Sequence, residues 1–146
     1  LGEARLASAI ADATSPDKKS ATIAEIARVV LMRHGGSLPC DRAAIEALPG
    51  IGPKCAALAL GIACGIPALP VDVHVHRIAN RWGAVATSTP ERTMLALEAI
   101  VPPGRWLEVN RLLVPFGKDL CTRERPRCPV CPVAAICARS GVPNPR

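Results

Sequence analysis

Near the carboxy terminus Cys121, Cys128, Cys131 and Cys137 form a C-x6-C-x2-C-x5-C run. Four soft thiolate donors at such short intervals can surround one centre, which is the pattern of a metal site. Zinc and iron-sulfur clusters both accept four cysteines, and spacing alone leaves the two open. Structural zinc commonly uses two short C-x2-C pairs, whereas this run has one such pair flanked by longer loops, as a larger cubane tolerates. The surrounding prolines and arginines do not suit four cysteines used as small buried hydrophobes. Cys40, Cys55 and Cys64 lie outside the pattern and are expected in the core.

A second constellation is Leu48-Pro49-Gly50-Ile51-Gly52 followed by Pro53 and Lys54. Glycines allow a tight backbone turn and a close approach, and the unpaired N–H groups at the start of the next helix make a nest for phosphate. Lys54 stands at the amino-terminal end of that helix, where the helix dipole, reinforced by partial burial, favours the uncharged and nucleophilic amine. Asp72 lies beyond a proline-bounded joint, so that it and Lys54 could face each other across a cleft. As the first polar residue before a helical run, Asp72 also has a structural role as an N-cap.

A series of helices must hold these groups in place. Residues 20–34 carry Ile23, Ile26, Ala27, Val30 and Leu31 at helical spacing and stop at Gly35-Gly36. Asp41 caps a short helix with Ala44, Ile45 and Leu48. The next runs from Pro53 to about Cys64, with proline at the first helical position, where its missing N–H is no loss. Pro67 and Pro70 bracket an extended joint, which divides the chain into residues 1–66 and 67–146. Asp72 then opens a helix with Val75, Ile78, Ala79 and Trp82 on one side. Ser88 and Glu91 read as a capping box for a helix carrying Met94, Leu95, Leu97, Ile100 and Val101. A last helix carries Trp106, Val109, Leu112 and Leu113, with Pro115 expected to end or kink it. No sustained alternation bounded by hairpin turns is present, so the fold is predicted to be all-α.

Composition narrows the function. With 49% hydrophobic and 21% charged residues the 146-residue chain is globular, and no run approaches the roughly 18–20 apolar residues of a membrane span. Asp12, Asp17, Lys18 and Lys19 interrupt any signal-peptide core, and seven cysteines, an odd number, fit a reducing compartment. The expectation is a soluble, cytoplasmic protein. The formal net charge is +6, of which +4 falls within residues 117–146: Lys118, Arg123, Arg125, Arg127, Arg139 and Arg146 against Asp119 and Glu124. A basic patch of that kind suits a polyanion, because each neutralised phosphate releases counterions. Aromatic residues make up only 2%, which argues against modules that bind single strands by stacking bases on a sheet of aromatics.

Taken together, the hairpin from Leu48 to Lys54, the run Val71-Asp72-Val73-His74 with Arg77 following, and the four cysteines resemble the endonuclease III family of helix-hairpin-helix DNA glycosylases. The resemblance extends from about residue 20 to Cys137. It implies a partial six-helix domain with its hairpin at about 41–64, and a helical domain whose loop 121–137 carries a [4Fe-4S] cluster on Cys121, Cys128, Cys131 and Cys137. It further implies Lys54 as nucleophile and Asp72 as activating carboxylate. The hairpin, through Leu48, Gly50 and Gly52, and the basic side chains Lys118, Arg123, Arg125 and Arg127 are then the grip on duplex DNA bearing a damaged base or an abasic site. The implied activity is N-glycosylase with β-elimination lyase on oxidised pyrimidines, in a monomer. A monofunctional mismatch adenine glycosylase is the alternative, although such relatives lack a lysine at this place; a non-catalytic DNA-binding iron-sulfur domain is another. Family members carry further helices before the point where this sequence starts, so a fragment or a reduced form is expected.

Overall fold

The computed structural model describes residues 2–143 and 145–146. Among these residues the chain forms seven α-helices and two short 3-10 turns, with no strand. Packing divides it into two compact units, Leu1–Gly52 and Pro53–Arg146.

The first unit contains α1 (Glu3–Ala9), α2 (Pro16–His34) and α3 (Arg42–Glu46), with α1 packed along α2. Helix α2 begins at Pro16 rather than near residue 20, because Ser15 adopts a left-handed conformation that turns the chain and Pro16 takes the first helical position. It stops where expected, at a left-handed Gly35. Its anticipated apolar face is only partly covered, since Ile23, Leu31 and the neighbouring Met32 are exposed. Helix α1 has no counterpart in the sequence reading. Asp41 caps α3 as expected, its Oδ1 accepting from the Ala44 N–H at 2.8 Å. The turn after α3 buries Leu48, and the Ile51 N–H returns to the Leu48 carbonyl at 3.2 Å. Gly50 is required there on two counts: its φ is +68°, and a Cβ would come within 2.9 Å of the Thr22 methyl.

The second unit contains α4 (Pro53–Ala63), α5 (Val73–Trp82), α6 (Pro90–Glu98) and α7 (Trp106–Asp119), with α5 packed against both α6 and α7. Its core joins Leu69, Val71, Val75, Ala79 and Leu97, flanked by Met94, Trp106, Val109 and Leu113. The extended joint is therefore part of the core rather than a free linker. Asn110 of α7 donates to the Pro70 carbonyl at 3.0 Å and fixes the approach to Asp72. Behind the core, the fully buried Thr93 hydroxyl meets the His76 ring at 2.6 Å and also bonds the Thr87 hydroxyl, which accepts from Asn80 at 3.2 Å. This closed polar network registers α5 on α6, and no buried side-chain nitrogen or oxygen among the described residues lacks a partner.

Four expectations are corrected. Thr89, not Ser88, is the N-cap of α6: its hydroxyl accepts from the Arg92 N–H at 3.3 Å, and Pro90 fixes the first helical residue. The helix ends at Glu98, before Ile100. Pro115 lies inside α7, which continues to Asp119. Past the proline the last turn is held by local bonds from the Leu120 and Cys121 N–H groups to the Phe116 carbonyl and by one tertiary bond, from Arg77 Nη2 to the Gly117 carbonyl at 2.8 Å. Fourth, Cys40 and Cys55 are exposed and Cys64 is half-buried, so none of the three belongs to the core. Cys55 lies on the outer side of α4, where Ala56, Ala57 and Leu60 face inward instead.

Gly117 is buried where α7 crosses α5, and a Cβ there would fall 2.7 Å from His74 Nδ1 and 2.9 Å from His74 Cβ. Overpacking of this kind costs about 1–3 kcal/mol. Gly117→Ala is accordingly expected to lower unfolding stability by that amount in a denaturant titration, despite the higher helix propensity of alanine. Unchanged stability would show that the two helices separate freely.

Candidate active site and cysteine cavity

Lys54 and Asp72 are brought together within the second unit. Asp72 is held in an extended conformation at the amino terminus of α5, where Oδ1 accepts from the backbone N–H groups of His74 at 2.9 Å and Val75 at 3.0 Å. Because Oδ1 is occupied by the helix, Oδ2 is the oxygen turned to Lys54, whose Nζ donates to it at 3.3 Å. The side chains are 39% exposed for the lysine and 12% for the aspartate. The cap and the cleft carboxylate anticipated from sequence are thus one group doing both jobs. Burial pushes the Asp72 carboxyl upward, but the Val75 N–H bond, the Lys54 bond and charge, and the His74 N–H outweigh it and hold the group below its ordinary value. It is an anion at neutral pH, and Val73, exposed beside it, leaves the site open to solvent.

The four cysteines Cys121, Cys128, Cys131 and Cys137 line one cavity, together with Arg81, Trp82 and Phe116. The two rings meet edge to face, with centroids 5.8 Å apart, and form its apolar floor. Among the described residues no three His, Cys, Asp or Glu side chains are gathered tightly enough to hold a single ion. The sulfurs do attract donors: Arg81 Nη1 lies 3.4 Å from Cys121 Sγ, and the Arg139 N–H lies 3.4 Å from Cys137 Sγ. Thiols half-buried in a shared apolar cavity, with N–H groups directed at two of them, fit the donor set of a soft-metal cluster.

Lys118, in the last turn of α7, and Arg123, Arg125 and Arg127, in the loop leading into the cavity, all have exposed side chains. The loop is pinned beneath them by the Arg127 N–H to the Leu120 carbonyl at 2.9 Å and by the buried Pro126. Leu48 differs, because its side chain is buried and only its backbone is available to a ligand. Gly50 serves the turn, whereas Gly52 faces open space.

The residues missed by the sequence reading are Arg77, in its structural role, and Arg81. Both point from α5 to the Cys121 segment: Arg77 reaches the Cys121 carbonyl through Nε at 3.2 Å and Nη2 at 2.8 Å, and Arg81 reaches the Thr122 and Arg123 carbonyls at 2.7 and 2.6 Å. The available signal was two arginines at i and i+4, one turn apart on the helix that Asp72 opens.

Residues 1–103 match the family model described as HhH-GPD superfamily base excision DNA repair protein. The chain belongs to that family. It is 45% identical over 118 residues to the endonuclease III-like protein 1 of Bos taurus, a match covering 79% of this chain and 39% of the relative. It is 40% identical over 114 residues to the endonuclease III of Thermotoga maritima, covering 78% and 54% respectively. The chain thus spans about a third to a half of the length of such relatives. Among solved structures, a trapped covalent intermediate of endonuclease III with DNA matches with a TM-score of 0.80 at 27% identity, covering 95% of this chain and 66% of that one. A non-covalent endonuclease III–DNA complex matches with a TM-score of 0.81 at 27% identity, over 95% and 65%. The helix-hairpin-helix glycosylase fold is therefore that of this HhH-GPD chain, and among its described residues no helix is long and apolar enough to cross a membrane.

The cap predicts a pH response. A carboxyl whose folded value lies below its unfolded value of 3.8 contributes stability that is complete above about that value and is lost as pH falls through the folded one. Asparagine caps helices about as well as aspartate, so Asp72→Asn isolates the charge. In unfolding titrations the wild type is expected to exceed Asp72→Asn by a constant margin above pH 5, and the margin should shrink below pH 4; a margin independent of pH would remove the charge from the account. Asp72→Ala should cost about 1 kcal/mol more through the lost cap.

Proposed function

We propose that this chain carries the chemistry of a base-excision DNA glycosylase with lyase activity, acting as a monomer on oxidised pyrimidines in duplex DNA in the cytoplasm. The single observation that supports it is the 3.3 Å pairing of an accessible amine with a carboxylate held anionic by a helix cap. In this reading the damaged nucleotide is extruded from the stack and Lys54 Nζ bonds to C1′ as the bond to the base breaks, the base leaving with the electron pair and a proton. Asp72 accepts the lysine hydrogen bond and stabilises the positive charge developing on the sugar. Its lowered pKa suits that electrostatic role better than proton storage. Opening of the ring gives a Schiff base to Lys54, which acidifies C2′. Loss of that proton expels the 3′ phosphate and nicks the strand, and water then releases the lysine.

The remaining assignments follow from the donor chemistry. The backbone of Leu48, Gly50 and Gly52 would take a phosphate, and Lys118, Arg123, Arg125 and Arg127 would neutralise others. Cys121, Cys128, Cys131 and Cys137 would hold a [4Fe-4S] cluster, which supplies a rigid anchor for the basic loop when bound. The joint at residues 67–70 would divide a partial six-helix domain from the cluster domain.

Borohydride is expected to trap a covalent complex between the protein and DNA containing an abasic site or an oxidised pyrimidine. Lys54→Ala should abolish the adduct while keeping DNA affinity; an adduct that survives the substitution removes Lys54 as nucleophile, and base release without any adduct points to the monofunctional adenine class. Binding without turnover would leave only a DNA-binding domain. Replacing Arg125 by alanine is expected to lessen the slope of log affinity against log salt by about one, if it neutralises one phosphate.

A further inference from the structure

Arg81 is a buried charged residue, only 5% exposed. Arginine is almost never fully buried unless it is paired, yet among the described residues neither Arg81 nor Arg77 has a carboxylate partner. The two stand one helical turn apart and repel: burial first, and then the charge of Arg81, lower the affinity of Arg77 for its proton, while Cys121 and the more distant Asp72 carboxylate act in the opposite sense. Carbonyl dipoles satisfy their N–H groups without supplying a negative charge. The Cys121 sulfur lies 3.4 Å from Arg81 Nη1 and carries negative charge once it ligates a metal.

The same guanidinium makes two further bonds, to the Thr122 carbonyl through Nη1 and to the Arg123 carbonyl through Nη2. A planar fork with five donors can serve a sulfur and two carbonyls at once, which the compact ammonium of lysine cannot. The backbone of α5 receives the other end of the cysteine segment: the Ser140 N–H donates to the Arg81 carbonyl at 3.1 Å, the Ala138 N–H to the Trp82 carbonyl at 3.3 Å, and the Cys137 thiol to the Arg81 carbonyl at 3.5 Å. One residue therefore touches the first cysteine, the start of the basic loop and the last cysteine.

We propose that Arg81 is a positioning residue which supplies the counter-charge to the Cys121 sulfur and locks residues 121–123, and that it thereby sets both the reduction potential of the bound cluster and the rigidity of the basic loop. This rests on the reading of the four cysteines as cluster ligands. A positive charge and an N–H···S bond at a cluster thiolate favour the more reduced, more negative state, so removing them lowers the potential. The loop effect is separable, because it depends on the fork and not on charge alone.

The test compares the cluster-loaded wild type with Arg81→Gln, which keeps an amide donor but no charge, and Arg81→Lys, which keeps charge but no fork. Midpoint potential is read by voltammetry, and loop rigidity by the rate of tryptic cleavage after Arg123 and Arg127, since the Arg125–Pro126 bond resists trypsin. Arg81→Gln is expected to shift the potential downward, with Arg81→Lys returning most of the shift, and both variants should be cut several-fold faster than wild type. Loaded variants with the wild-type potential and wild-type cleavage rate would overturn the role of Arg81 while leaving the cluster in place. A wild-type protein that binds no iron and shows no visible absorption would instead sink the cluster reading, and this proposal with it.

Discussion

Helix α5 is the member on which the second unit depends, because opposite ends of its ten residues serve the two chemical centres. At its amino terminus the free N–H groups need an acceptor, and Asp72 supplies one with a single carboxylate oxygen. That requirement orients the other oxygen, and with it the partner of Lys54. At its carboxy terminus the carbonyls of Arg81 and Trp82 receive the N–H groups of the cysteine segment. A rod of this length is stiff, so an error in its placement would be transmitted to both ends.

Its placement is over-determined. On one side the His76, Asn80, Thr87 and Thr93 network fixes its register on α6; on another, Gly117 lets α7 approach until Arg77 reaches the Gly117 and Cys121 carbonyls. Buried polar bonds of this kind add little net stability but are expensive to leave unmade, so they select one arrangement over near alternatives. The apolar core of Leu69, Val71, Val75, Ala79 and Leu97 supplies the driving force without that specificity.

Much of this was legible in the chain. Glycine and proline mark most helix ends because their backbone limits are local, and thus the start of α4 and the end of α2 follow from Pro53 and Gly35. Asp41 and Asp72 read as caps for the same reason. The failures lie where competing local options were close in energy or where distant contacts decided. Ser88 and Thr89 are both good caps, and Pro90 selected the second; Pro115 was expected to end or kink its helix, and α7 continues past it to Asp119, with the Gly117 carbonyl held by Arg77 of α5. Helical spacing could not say which apolar positions of α2 would find neighbours, and Ile23 and Leu31 did not.

The sequence by itself determined the residue chemistry: an amine after a glycine hairpin, a carboxylate at a helix start, and four thiols at short intervals, since all three are statements about neighbours along the chain. Tertiary structure alone decided that one oxygen of Asp72 faces Lys54 while the other caps α5, and that two arginines turn inward to the Cys121 segment rather than out to solvent. The physical reason is that a side chain's partner across eighteen or forty residues depends on how helices pack, and packing is a property of the whole fold that no local pattern encodes.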